Sequence, residues 1–182
     1  MVENNFGEDL KFLKENTEVI VLIDNKTKAS IIISAEHQAR VLTSSSKSLH
    51  GKSYGWINYK LIESKEWQPH IQAFGGEDRF WLAPEAGQYS IYFEPNQEFI
   101  FKNWQTPSCI DSEPFEVLNT EEDKAVFRKK ISLKNYQNFQ FEAQIDRTIS
   151  ILPQHSIEEG LGIKISEGDD FVGFQSENQL TN

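Results

Sequence analysis

The chain predicts a mainly β fold: an antiparallel β-sandwich with few short helices. Three observations carry this expectation. Phe139, Phe141, Ala143, Ile145, Arg147, Ile149 and Ile151 alternate with Gln140, Glu142, Gln144, Asp146, Thr148 and Ser150. That is the pattern of a long strand with one buried and one wet face. Short apolar runs recur between turn residues along most of the chain, as the strands of a sandwich do. The composition is rich in Phe (13 copies) and poor in Met (one), and 12% of residues are aromatic, a usage that favours sheet.

Taken in order, residues 6–16 fit a short helix with Leu10, Phe12 and Leu13 on its apolar side. Residues 19–23 and 30–34 are continuous apolar runs on either side of the turn signal Asp24-Asn25-Lys26, so they read as a hairpin covered on both faces. Residues 40–43 form a third strand, followed by the polar loop 44–48. Residues 56–63 are ambiguous, with Ile57 and Leu61 spaced for a short helix. Tyr89, Ile91 and Phe93 alternate, 94–97 turns, and Phe99 and Phe101 alternate again, a second hairpin signature. Residues 115–118 and 125–133 read as strands about the acidic turn 120–123; Pro153 ends the long strand. Residues 163–165 and 171–174 read as weaker late strands.

The 182 residues fit a single β-sandwich domain, 1–182, with enough apolar content (38%) for a sizeable core. A formal net charge of −10 disfavours nucleic acid and anionic membranes as partners and leaves a neutral small molecule acceptable. Cys109 stands alone, so neither an intrachain disulfide nor a Cys-based metal site is expected. The first residues lack a basic and apolar leader, and no apolar run approaches the roughly 20 residues of a membrane span. The chain as written reads as soluble and cytoplasmic, or periplasmic if a signal peptide was removed.

Chemistry concentrates in residues 74–87, Phe-Gly-Gly-Glu-Asp-Arg-Phe-Trp-Leu-Ala-Pro-Glu-Ala-Gly. If 77–82 run extended, Glu77, Arg79 and Trp81 share one face while Asp78, Phe80 and Leu82 share the other. An acid, a fork of donors and a flat ring suit a sugar; a surface ion pair beside a strand-edge Trp is the structural alternative. His70 lies just before the motif, Glu85 just after Pro84, and Arg40 opens a strand before the Ser-rich loop. The substrate-binding set is therefore Arg40, His70, Glu77, Asp78, Arg79, Trp81 and Glu85, with carbohydrate as the ligand and no cofactor. His37, His50, His70 and His155 show no metal-ligand spacing. Cys109 is either a buried small hydrophobe or, with a spatial His, a nucleophile.

Arg40-Val41-Leu42-Thr43-Ser44-Ser45, then Tyr54-Gly55-Trp56-Ile57-Asn58, then the 74–85 run, residues 101–107 and Glu177-Asn178-Gln179-Leu180-Thr181-Asn182 together resemble a bacterial family of the galactose mutarotase-like superfamily. The resemblance implies a supersandwich with a sugar cleft on one sheet, and an aldose 1-epimerase-like isomerase chemistry in which one His is the acid and one Glu the base. In that family the catalytic His follows a Leu-Thr-Asn segment, and here Leu180-Thr181-Asn182 are the last residues. The resemblance thus implies the N-terminal portion of a larger supersandwich, which binds a sugar without catalysis and dimerises through an exposed sheet edge. A carbohydrate-binding module and a ligand-free interaction sandwich are the other two readings.

Overall fold

The computed structural model describes residues 5–182. Two antiparallel sheets stand over one another. The first is β1 (Ile20–Ile23), β2 (Ser30–Ser34) and β3 (Arg40–Ser45), hydrogen-bonded in that order. The second is β4 (Glu116–Thr120), β5 (Lys124–Lys134), β6 (Gln140–Ile151) and β7 (Phe174–Thr181), again in chain order. The expected mainly β, sandwich-like architecture is what the chain forms.

The main core lies between the sheets. Leu22, Ile31, Ile33 and Val41 meet Ala125, Phe127, Ile131, Ala143, Ile145 and Ile149 there. Ile32 and Leu42 point the other way, onto α1 (Phe6–Asn16), where Phe6 and Leu13 are buried against them. A strand with a layer on each face needs no polar alternation, which is why β2 is an unbroken Ile run, buried from Ser30 to Ser34. α1 starts at a capping box: Asn5 Oδ1 accepts from Glu8 N and Glu8 Oε2 accepts from Asn5 N, each at 3.0 Å.

The long strand behaves as its alternation predicts. From Ala143 to Ile151 the odd positions of β6 are buried, Arg147 included, and the even positions are half-buried. It lies inside its sheet, between β5 and β7, so the sheet's edges are β4 and β7. The apolar face of this strand is covered by the β1–β3 sheet.

Three expectations need correction. The 89–101 hairpin does not form; 101–103 make one 3-10 turn and the rest is irregular. Tyr92 and Phe93 are both buried although adjacent, which a half-buried hairpin strand cannot arrange. Residues 163–165 are loop, and of 171–174 only Phe174 is strand, the first residue of β7. Three short helices complete the chain: α2 (Tyr59–Ser64), α3 (Ser108–Asp111) and α4 (Gln154–Leu161). The ambiguous 56–63 segment is thus helical from Tyr59 onward, and α4, with Ile157 its one buried residue, carried no apolar period to announce it. Among the described residues no helix is long and apolar enough to cross a membrane.

Candidate functional site: a motif laid between the sheets

The 74–87 run docks on β3 by its backbone. Glu77 N donates to Val41 O at 2.8 Å, Val41 N donates to Asp78 O at 3.1 Å, and Gly76 N donates to Trp56 O at 2.7 Å. Gly75 has φ +92 and packs so closely that a Cβ there would overlap the Trp56 carbonyl oxygen; only glycine combines that dihedral with that approach. The run forms isolated bridges at Gly75 and Asp78 rather than a continuous strand. Its side chains therefore part company in a way the alternation did not foresee.

Glu77 turns toward β3, where its Oε2 accepts from Ser44 Oγ at 2.9 Å. Partial burial raises its pKa, with the Ser44 hydrogen bonds opposing. Asp78 pairs with Arg147 of β6. Arg147 is fully buried, and it also donates from Nε to Ala39 O (3.1 Å) and from Nη1 to Asn178 Oδ1 on β7 (2.7 Å). One guanidinium thus ties the motif, the entrance of β3 and two strands of the second sheet together.

Arg79 and Trp81 do share a face, but with each other: the guanidinium carbon lies 4.3 Å from the centroid of the Trp81 ring. Arg79 Nη2 donates to Ile110 O (2.8 Å) and Asp111 Oδ1 (3.3 Å) on α3. Asp111 is buried and also accepts from Gln72 N at 2.8 Å. Burial lowers the Arg79 pKa and raises that of Asp111, outweighing their mutual attraction. Arg40 is buried beside them, donating to Gly75 O (2.8 Å) and Gln38 Oε1 (3.3 Å). Burial first, then the Arg79 charge, bring its pKa down to about 9. The Nε atoms of Arg40 and Arg79 are buried without a hydrogen-bond partner among the described residues.

Beyond Arg79 runs an aromatic group. Trp81 and Trp104 are nearly parallel (10°) with centroids 6.5 Å apart, and Tyr92 stacks against both, at 5.2 Å and 4.5 Å. Trp81 Nε1 donates to Glu85 Oε1 at 3.0 Å. His70 joins from the Trp104 side: its Nδ1 lies 2.7 Å from Trp104 O, and its ring is 4.8 Å from that of Phe101. Gln105 Nε2 also lies 3.2 Å from Nδ1, but the shorter contact is to a carbonyl, which only accepts, so Nδ1 is the donor and in the neutral ring Nε2 is an acceptor.

The predicted site residues therefore fall into two places. Arg79, Trp81, Glu85 and His70 gather about the aromatic group. Arg40, Glu77 and Asp78 are engaged at β3 and the sheet junction. Sequence reasoning missed Arg147, Asp111 and Tyr92 as partners of the motif. Arg147 did leave a signal, a charged residue in the buried phase of β6, whereas Asp111 and Tyr92 left none. Burial pushes the Cys109 thiol up to about 11, and the charges beside it are Glu113 and Lys129, which favours the buried small hydrophobe over the nucleophile. Among the described residues no group of three or more His, Cys, Asp or Glu could hold a metal ion.

Fold and site together define a mainly β, sandwich-like protein whose signature run packs arginine, aspartate and tryptophan between sheet and loop. The chain belongs to a family of unknown function (DUF6786), whose model matches residues 4–182. No curated protein and no solved structure matches it.

Proposed function

We propose that the protein handles carbohydrate, binding a sugar over the aromatic group of Trp81 and Trp104, as the resemblance to the galactose mutarotase-like superfamily implies. The observation that supports this most is the half-buried, near-parallel Trp pair with the Glu85 carboxylate held at its edge. Flat rings take the C–H face of a pyranose, and a fixed carboxylate accepts from its hydroxyls. His70 Nε2 adds a second acceptor on the Trp104 side. The test is a hexose panel followed by NMR, in which line broadening reports binding and saturation transfer reports α–β exchange. Binding that is lost in Trp104→Ala, in a protein that stays folded, supports the site. Absence of broadening with every hexose, or broadening that survives Trp81→Ala and Trp104→Ala, refutes it.

A second reading has its own observation. Arg79 already covers one face of Trp81 and holds α3 through Ile110 O and Asp111. On that reading the motif is a clamp between loop and sheet with no ligand. Trp81→Ala would then lower the unfolding temperature and change no binding.

A further inference from the structure

A second histidine, His37, has its proton placed by a chain of hydroxyls. Glu36 Oε2 accepts a hydrogen bond from Thr17 Oγ1 and another from Glu18 N at 3.3 Å. With its single proton given to the carboxylate, Thr17 Oγ1 can only accept from Ser34 Oγ, 3.2 Å away. Ser34 Oγ, its proton given to Thr17, can in turn only accept from His37 Nδ1, at 2.9 Å. The donors run in one direction, from His37 through two hydroxyls to Glu36. Nδ1 is therefore the protonated nitrogen, and Nε2 carries a bare lone pair.

That lone pair has no hydrogen-bond partner among the described residues, and Nε2 is not among the buried atoms left without one. His37 lines a cavity of about 270 Å3 whose apolar side is Phe74, Leu61, Ile62 and Trp67 and whose polar side includes Glu36, Lys65, Glu66 and Gln72. Phe74 stands edge-on to the imidazole at 4.3 Å, Leu61 and Ile62 are buried, and Trp67 is 66% exposed at the mouth. Burial and the neighbouring Arg40 hold the imidazole neutral, at about 4, against the opposing pull of Glu36. The volume exceeds the ~150 Å3 that holds a benzene ring, so a single ring with a polar substituent fits against the apolar side.

We propose that this cavity is a binding site for a small single-ring compound bearing one O–H or N–H donor, which His37 Nε2 accepts while Phe74, Leu61, Ile62 and Trp67 take the ring. The site is separate from the proposed sugar face and stands or falls without it. Phenol is the probe and anisole, which lacks the donor, is its control. Long-range 15N–1H spectra at neutral pH should show His37 as the Nδ1–H tautomer. Low-millimolar phenol should move the Nε2 resonance, and anisole should bind about fivefold more weakly, the worth of one neutral hydrogen bond. His37→Phe should erase the preference for phenol. Should that variant fail to fold, Trp67→Ala, at an exposed position, should weaken phenol and anisole alike. An Nε2–H tautomer, equal affinity for the two probes, or no response of His37 to phenol overturns the proposal.

Discussion

Replacing Asp78 by Asn tests the junction between the sheets with little change of shape. Arg147 is fully buried, and among the described residues Asp78 is its one ion-pair partner, with 27% of its side chain exposed. Its other acceptors, Ala39 O and Asn178 Oδ1, are neutral. Removing one member of a buried pair leaves an uncompensated charge and costs roughly 3–5 kcal/mol. Water reaching Asp78 softens this toward the lower end, about 3 kcal/mol. For a chain of this size that lowers the unfolding temperature by roughly 6–12 °C. Urea unfolding is the assay: the midpoint should fall at constant slope. Asp146→Asn is the comparison, since Asp146 pairs with Arg128 at 2.6 Å on the wet face of the same sheet. That pair should contribute no more than about 1 kcal/mol. Equal losses in the two variants, or a loss below about 1 kcal/mol for Asp78→Asn, would refute the view that Arg147 depends on Asp78.

Acid should find His37. Its folded value is about 4 against 6.5 unfolded, so the unfolded chain takes the proton first. Stability from this group is complete above pH 6.5 and falls by up to about 3 kcal/mol as the pH drops to 4. Arg40, Glu36, Ser34 and Phe74 face the ring, and urea midpoints across that range should decline more steeply in the parent than in His37→Gln. Gly75→Ala should destabilise far more than Gly87→Ala: both have φ above +90, but a Cβ at Gly87 meets nothing within 4 Å. Thermal unfolding of the two variants checks it. Cys109, with its thiol raised to about 11, should resist a thiol reagent at pH 8 and react once urea unfolds the chain.

The strands were legible where burial imposed one rule on consecutive residues. β6 alternates because one face meets the other sheet, and β2 does not because α1 covers its far side. β7 was illegible for the opposite reason: Gln175, Glu177, Asn178 and Gln179 are exposed, so no buried face stamps a period on the sequence. In the site, the adjacency of Arg79 and Trp81 was readable from their spacing. The separation of Glu77 from both was not, because isolated bridges to β3 replace a regular strand. Contacts made across the fold, such as Arg79 with Asp111, leave no trace in local spacing, and neither does the run of hydroxyls that orients His37.

The Arg147 junction also bears on the order in which the molecule is made. Its bond to Ala39 spans 108 residues of chain, and its bond to Asn178 reaches β7. Closing a loop of that length is costly before the contacts inside it exist, and such topologies fold slowly. A nascent chain that has formed α1 and the first three strands still lacks the second sheet's half of the main core and the cation that joins the two. Addition of β4–β7 is therefore the event that turns a helix-backed β-meander into a two-sheet sandwich. Until then the Ile31, Ile33 and Val41 face stays open to solvent and to other nascent chains.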